Sequence, residues 1–120
     1  MISVAEVRKL AMSFPGTAER PHFDRASFRA NDKRIFMTLK EDENYAVMML
    51  TPEDQSVFIK SPDGAVYPVP NKWGLQGATI FNLKKAKKTL FKDALTCAWN
   101  SKLSKPAYRT RRPNGGSRKS

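Results

Sequence analysis

The chain has little of what most site chemistries need. It holds a single cysteine, Cys97, and a single histidine, His22. One cysteine excludes an internal disulfide and fits a reducing compartment. One histidine without a cysteine companion cannot furnish the ligand set of a usual zinc site. Acids run out toward one end: beyond residue 83 the only carboxylate side chain is Asp93. Nowhere do eighteen apolar residues run together, and the opening M-I-S-V-A-E-V-R has no apolar stretch suited to a signal peptide. No phosphate loop, dinucleotide fingerprint or internal repeat occurs. A cytoplasmic protein that spans no membrane and uses no metal or cofactor is the expectation.

What is present is charge, unevenly placed. Of the formal net charge of +11, residues 1–83 contribute nothing, since ten Lys/Arg face ten Asp/Glu there. Residues 84–120 hold twelve Lys/Arg against Asp93 alone. A neutral domain that ends in a basic third suggests a polyanionic partner. Solubility is the plainer use of the same composition. A chain of 120 residues makes one domain, long enough to bury roughly two thirds of its unfolded surface.

Local patterns predict the element order α-β-β-β-α-β-β-α. Ser3 and Glu6 have the spacing of a capping box, with Ile2 and Val7 placed for a hydrophobic staple, so a helix runs to Ser13 and stops at Pro15-Gly16. Glu19 to Arg25 reads as a loop. Ser27–Ala30 and Lys33–Lys40 read as strands folded about Asn31-Asp32, residue types that tolerate positive φ. In the second, alternation sends Ile35, Met37 and Leu39 to one face and Arg34, Phe36, Thr38 and Lys40 to the other. Tyr45–Leu50 is apolar on both faces and predicts a central strand. Thr51 and Pro52 open a short helix that ends near Lys60, and Ala65–Val69, flanked by prolines, predicts an edge strand. Trp73–Phe81 reads as the last strand, with Trp73 in the core and Gly74 and Gly77 marking a bulge or a close backbone approach. Asn82 then caps a final helix to about Lys102, with Leu83, Ala86, Leu90, Ala94, Cys97 and Ala98 as its apolar stripe. Residues 104–120 have no apolar period and predict a disordered basic tail. The elements add up to a two-layer α+β domain over residues 1–103, one antiparallel sheet with helices on one face.

Two quoted stretches carry a resemblance. P-G-T-A-E-R-P-H-F-D-R-A-S-F-R-A-N-D-K-R-I-F-M-T-L, starting at Pro15, and W-G-L-Q-G-A-T, at Trp73–Thr79, closely resemble the MmcQ/YjbR family of small bacterial proteins. The resemblance covers about residues 4–103. Asp24 and Asn31-Asp32 depart from the family's glycine-rich turns. The family implies the same two-layer α+β fold, and its usual label implies DNA binding.

Candidate chemistry is sparse. His22 is the natural suspect for acid–base work because histidine as a residue type suits it, and Asp24 and Ser27 are near it in sequence. No nucleophile-elbow pattern surrounds Ser27, so a packing role for His22 is expected. Cys97 falls on an apolar stripe, where cysteine acts as a small hydrophobe. Met12, Met37, Met48 and Met49 fall on expected core faces. Glu41-Asp42-Glu43 lacks the spaced oxygens of a calcium loop. The stronger signal is cationic. Lys84, Lys85, Lys87, Lys88 and Lys92 fall in the expected first turns of the last helix, against its dipole. Lys105, Arg109, Arg111, Arg112, Arg118 and Lys119 follow in the tail, with Tyr108 as a possible stacking group. The expectation is a non-enzymatic nucleic-acid-binding protein, with DNA favoured over RNA and phosphate contacts dominant. Alternatives are a protein-interaction or chaperone-like module that uses its sheet face, and a small-molecule enzyme that uses the His22 loop. A polar sheet face would weaken the first alternative, and a deep pocket holding His22 would favour the second.

Overall fold

The structure is a computed structural model and describes residues 1–103. The elements are α1 (Val4–Met12), β1 (Ala18–His22), β2 (Arg25–Ala30), β3 (Arg34–Lys40), a 3-10 turn (Glu41–Glu43), β4 (Tyr45–Met49), α2 (Pro52–Phe58), β5 (Val66–Pro68), α3 (Lys72–Leu75), β6 (Ala78–Asn82) and α4 (Lys88–Leu103). The six strands form one antiparallel sheet in the order β1-β2-β3-β4-β6-β5. The two-layer α+β expectation holds, with one strand and one helical turn added.

The starts of the first two helices follow their caps. Ser3 Oγ accepts from the Glu6 N–H while Glu6 Oε1 accepts from the Ser3 N–H, each at 3.1 Å. Thr51 Oγ1 accepts from the Asp54 N–H at 3.1 Å, with Pro52 in the first helical position. Asn31 and Asp32 turn the β2–β3 hairpin at φ of 53° and 56°. From the sheet, Phe28, Met37, Leu39, Ala46, Met48 and Phe81 meet Val7 and Ala11 of α1 and Phe91, Ala94, Leu95 and Ala98 of α4 in one buried cluster. The Phe81 and Phe91 rings meet edge to face at 5.7 Å.

Five expectations need correction. Residues 19–22, expected to be loop, belong to the edge strand β1. Its charges and Pro21 hide the strand pattern, yet an edge strand tolerates both, because one side of its backbone has no ladder to complete. In β3 the strict alternation fails because Phe28 pairs with Met37 while Arg29 pairs with Ile35, which leaves Phe36 as an extra residue. The bulge puts Phe36 and Met37 together in the core. Trp73 is not a core strand residue: it lies on the single turn α3 and is 64% exposed. The tryptophan packed against the core is the partly buried Trp99, stacked on Phe14 at 5.0 Å. Met12 is exposed and Met49 half-buried, whereas Met37 and Met48 are core residues. The fifth correction, the start of α4, bears on the site and is taken up there.

The glycines of W-G-L-Q-G make the close approaches expected of them. A Cβ on Gly74 would lie 1.8 Å from the Val69 carbonyl oxygen, and one on Gly77, whose φ is +114°, 1.9 Å from that of Leu50. Gln55 of α2 ties this turn down from beneath: its Nε2 donates to the carbonyls of Gly74 (2.9 Å) and Ala78 (3.2 Å) and to Thr79 Oγ1 (3.1 Å).

Ion pairs link the strand ends. Arg8 bridges Glu19 and Glu41 at 3.0 Å each, Arg20 pairs with Asp32, and Lys40 lies among Asp24, Asp42 and Glu43. Hydrogen bonds from Arg8, Arg20, Arg25 and Lys40 hold Glu41, Asp32, Asp24 and Asp42 below the usual carboxylate range. The Lys40 amine is pushed up to about 12, first by its bond to Asp42. Lowered carboxylates stabilise the fold fully above their unfolded values, near ~4, and lose that contribution as pH falls through the folded values. The raised Lys40 contributes below its ordinary value and loses this as pH rises through about 12. The urea midpoint should therefore fall as pH drops below about 4, and less so in high salt. A midpoint that stays flat from neutral to strongly acidic pH would contradict these pairings.

Candidate nucleic-acid interface

The basic segment is built differently from its sequence reading. Asn82 ends β6 and does not cap a helix; its Oδ1 accepts from the Lys84 N–H at 3.0 Å and closes a turn. The Leu83 N–H donates to the Asn44 carbonyl (3.0 Å), the Leu83 carbonyl accepts from Ile2 (2.9 Å), and Leu83 and Ala86 are fully buried. Lys84, Lys85 and Lys87 thus stand outside an anchored turn, and α4 begins only at Lys88. The conflict with the helix dipole is confined to the start of α4, where Lys88 pairs with Glu6 at 3.0 Å. Lys92 is exposed one turn further on. Within 1–83, Arg8, Arg20, Arg25 and Lys40 are matched to carboxylates. Lys84, Lys85, Lys87 and Lys92 make no ion pair among the described residues. Asp63, held low first by the Ala65 N–H, feels Lys87 only at longer range. Arg109, Arg111 and Arg112, with the rest of the expected tail, lie outside the described residues.

A second feature lies on the sheet face turned away from the core. Register puts Arg20, Ser27, Thr38, Val47, Ile80 and Tyr67 in one row across all six strands. Over this face lies a hollow of about 600 Å³. Ile35, Thr38, Val47, Met49 and Ala78 line it from the strands. Trp73 and Val69 contribute beside the Met49–Ala78 end, the β1–β2 turn contributes His22, Phe23, Asp24 and Arg25, and Lys102 of α4 also lines it. Phe23 is 96% exposed and held at φ of +58°. The hollow contains Trp73, which the sequence had assigned to the core, and Phe23, which no pattern singled out. The one available signal for Phe23 was its place in a two-residue turn.

The hollow in this face is therefore mainly apolar, and His22 lines it. The parts of a hydrolytic site are not assembled around it, however. Asp24 is bonded to Arg25 (3.0 Å) and close to Lys40 (3.4 Å), while Ser27 Oγ donates to the Arg20 carbonyl (2.9 Å). The His22 ring packs edge-on against Phe23 at 4.8 Å. No group of three or more His, Cys, Asp or Glu side chains is placed to hold a metal ion among the described residues. Cys97 is half-buried, and burial, then the charges of Asp54 and Asp93, push its thiol up. Native labelling of Cys97 by a thiol reagent at neutral pH should be many-fold slower than labelling in urea; equal rates would place α4 wrongly.

No family model and no curated protein matches the sequence. Among solved structures, the crystal structure of Deinococcus radiodurans protein DR2400, a DUF419 domain, resembles this chain with a TM-score of 0.64. The match covers 82% of this chain and 77% of that one at 14% identity. DUF419 is the MmcQ/YjbR-type family. At that identity the likeness is one of fold, and it agrees with the architecture expected from the two motifs. No helix among the described residues is long and apolar enough to cross a membrane.

Proposed function

We propose that the protein is a cytoplasmic, non-enzymatic nucleic-acid-binding member of the MmcQ/YjbR family. Lys84, Lys85, Lys87, Lys88 and Lys92, with Arg109, Arg111 and Arg112 of the tail, contact phosphates and read bases little. The observation that carries this reading is the segregation of unmatched charge. Residues 1–83 balance ten Lys/Arg with ten Asp/Glu, and Arg8, Arg20, Arg25 and Lys40 sit in ion pairs there. Residues 84–120 instead set twelve Lys/Arg against Asp93 alone, and four of the five lysines at 84–92 have no ion pair among the described residues. An anchored turn that presents Lys84, Lys85 and Lys87 to solvent suits a phosphate backbone, which supplies many anions at close spacing. DNA is favoured over RNA through the family resemblance.

The alternative is a protein-interaction module, which draws on the exposed Trp73, Leu75 and Val57. Fluorescence anisotropy with labelled duplex DNA, single-stranded DNA and RNA of one length at low salt separates the two. Binding of at least one oligomer is expected. No detectable binding of any would overturn the nucleic-acid reading and leave the protein-interaction one.

A further inference from the structure

We propose that the sheet-face hollow is a platform for unpaired bases of a single-stranded nucleic acid, with Trp73 and Phe23 as stacking rings and Lys102 and Arg25 as phosphate contacts. The inference rests on the nucleic-acid reading and names the form of substrate this face takes. Stability gives no reason for either ring to be where it is. Trp73 is held out at 64% exposure on a turn whose glycines press against the Val69 and Leu50 backbone. Phe23 is almost wholly exposed in a left-handed conformation that bulky residues avoid. Outliers of this kind are kept where something other than folding uses them.

Between the rings, Ile35, Val47 and Met49 offer an apolar floor with Thr38 as a hydroxyl on it. A base has flat apolar faces and polar edges, and so suits such a floor better than a charged peptide does. The cations are placed for its backbone. Lys102 lines the hollow without a carboxylate partner among the described residues. Burial, then the Arg34 charge, lowers the affinity of its amine for a proton, so an anion beside it would be welcome. Arg25 lies over the Tyr45 ring (5.6 Å) and is fixed by Asp24, the one carboxylate at the rim, which Arg25 and Lys40 already counter. The chain leaves this region at Leu103, and the next seventeen residues carry six further cations.

Single-strandedness follows from the geometry. A ring at the side of a hollow can stack only on a base whose face is free, and in a duplex those faces are covered. Lys84–Lys87 follow the Asn82 end of β6, whereas Trp73 precedes its Ala78 end, so the two contributions can be tested apart.

The test measures anisotropy of a fluorescein-labelled twelve-nucleotide dT strand and a twelve-base-pair duplex, with the full chain and three variants. Trp73→Ala and Phe23→Gly should each weaken single-strand binding about tenfold and leave duplex binding within about twofold. Both should fold, since Trp73 is exposed and glycine relieves the Phe23 conformation. Changing Lys84, Lys85, Lys87 and Lys92 to Gln should weaken both probes. Trp73 emission should be quenched by the dT strand, with the stacked Trp99 as the unresponsive background that remains in Trp73→Ala. Single-strand affinity unchanged in both aromatic variants would overturn the platform and leave the phosphate reading standing. Binding of neither probe by the intact chain would overturn both. A blue shift of Trp73 with vesicles of anionic phospholipid, without quenching by the dT strand, would assign this face to membranes and overturn the platform.

Discussion

Replacing Gly77 by alanine is expected to destabilise the protein by roughly 3–5 kcal/mol, from steric overlap added to an unfavourable backbone conformation. The φ of +114° is one that side-chain-bearing residues rarely adopt, and the added Cβ would stand 1.9 Å from the Leu50 carbonyl oxygen and 2.8 Å from its carbon. Neither backbone can retreat cheaply. The Leu50 N–H donates to the Gly77 carbonyl (3.2 Å), Thr79 Oγ1 donates to the same carbonyl (2.8 Å), and Met49 pairs with Ala78 next door. A loss of this size is a large part of the stability of an ordinary domain, about 5–15 kcal/mol. Gly64 is the internal control: its φ is +71° but nothing lies within 4 Å of a Cβ there. Gly64→Ala should thus cost only about 1 kcal/mol. Urea unfolding of the two variants checks the contrast. A Gly77→Ala midpoint equal to that of Gly64→Ala would mean that the turn carrying Trp73 is not pressed against β4.

The sequence was most readable where one residue's chemistry settles the local backbone. Ser3 with Glu6, Thr51 with Pro52, and Asn31-Asp32 each set an element end with no help from distant contacts, and all three stand. Legibility failed where tertiary context decides. β1 is a strand because β2 offers it a ladder, which its own charged sequence does not advertise. The Phe36 bulge is a matter of pairing, invisible in a single strand's alternation. Trp73 misled because a large aromatic residue is more often buried than not. The turn around it is fixed instead by the close passage of Gly74 over Val69 and by Gln55 beneath, long-range contacts that no spacing encodes. Of the candidate interface, the basic segment was legible as composition but not as shape. Asn82 has the residue type of a helix cap and serves as a turn instead, because Leu83 and Ala86 are drawn into the core before α4 can begin.

Removing the unmatched cations should have the largest effect on binding. Residues 104–120 carry six Lys/Arg and no acid, and Lys84, Lys85, Lys87 and Lys92 add four more. Deleting 104–120 should weaken binding to all sequences about equally, because cations that contact phosphates do not read bases. Changing the four lysines to Gln in the shortened chain should then remove most of what remains. Stability should change by less than about 0.5 kcal/mol, since none of the four side chains sits in an ion pair among the described residues. Lys88 is left in place because its bond to Glu6 would confuse the comparison.

The most direct measurement is the salt dependence of duplex binding by the intact chain. If five or so phosphates are neutralised, the logarithm of the binding constant should fall against the logarithm of salt with a slope of about −4 to −5. Affinity would then drop several hundredfold between roughly 50 and 200 mM salt. The slope should become shallower when residues 104–120 are deleted, and shallower again when Lys84, Lys85, Lys87 and Lys92 are changed. A slope near zero, or one that neither change alters, would contradict the account.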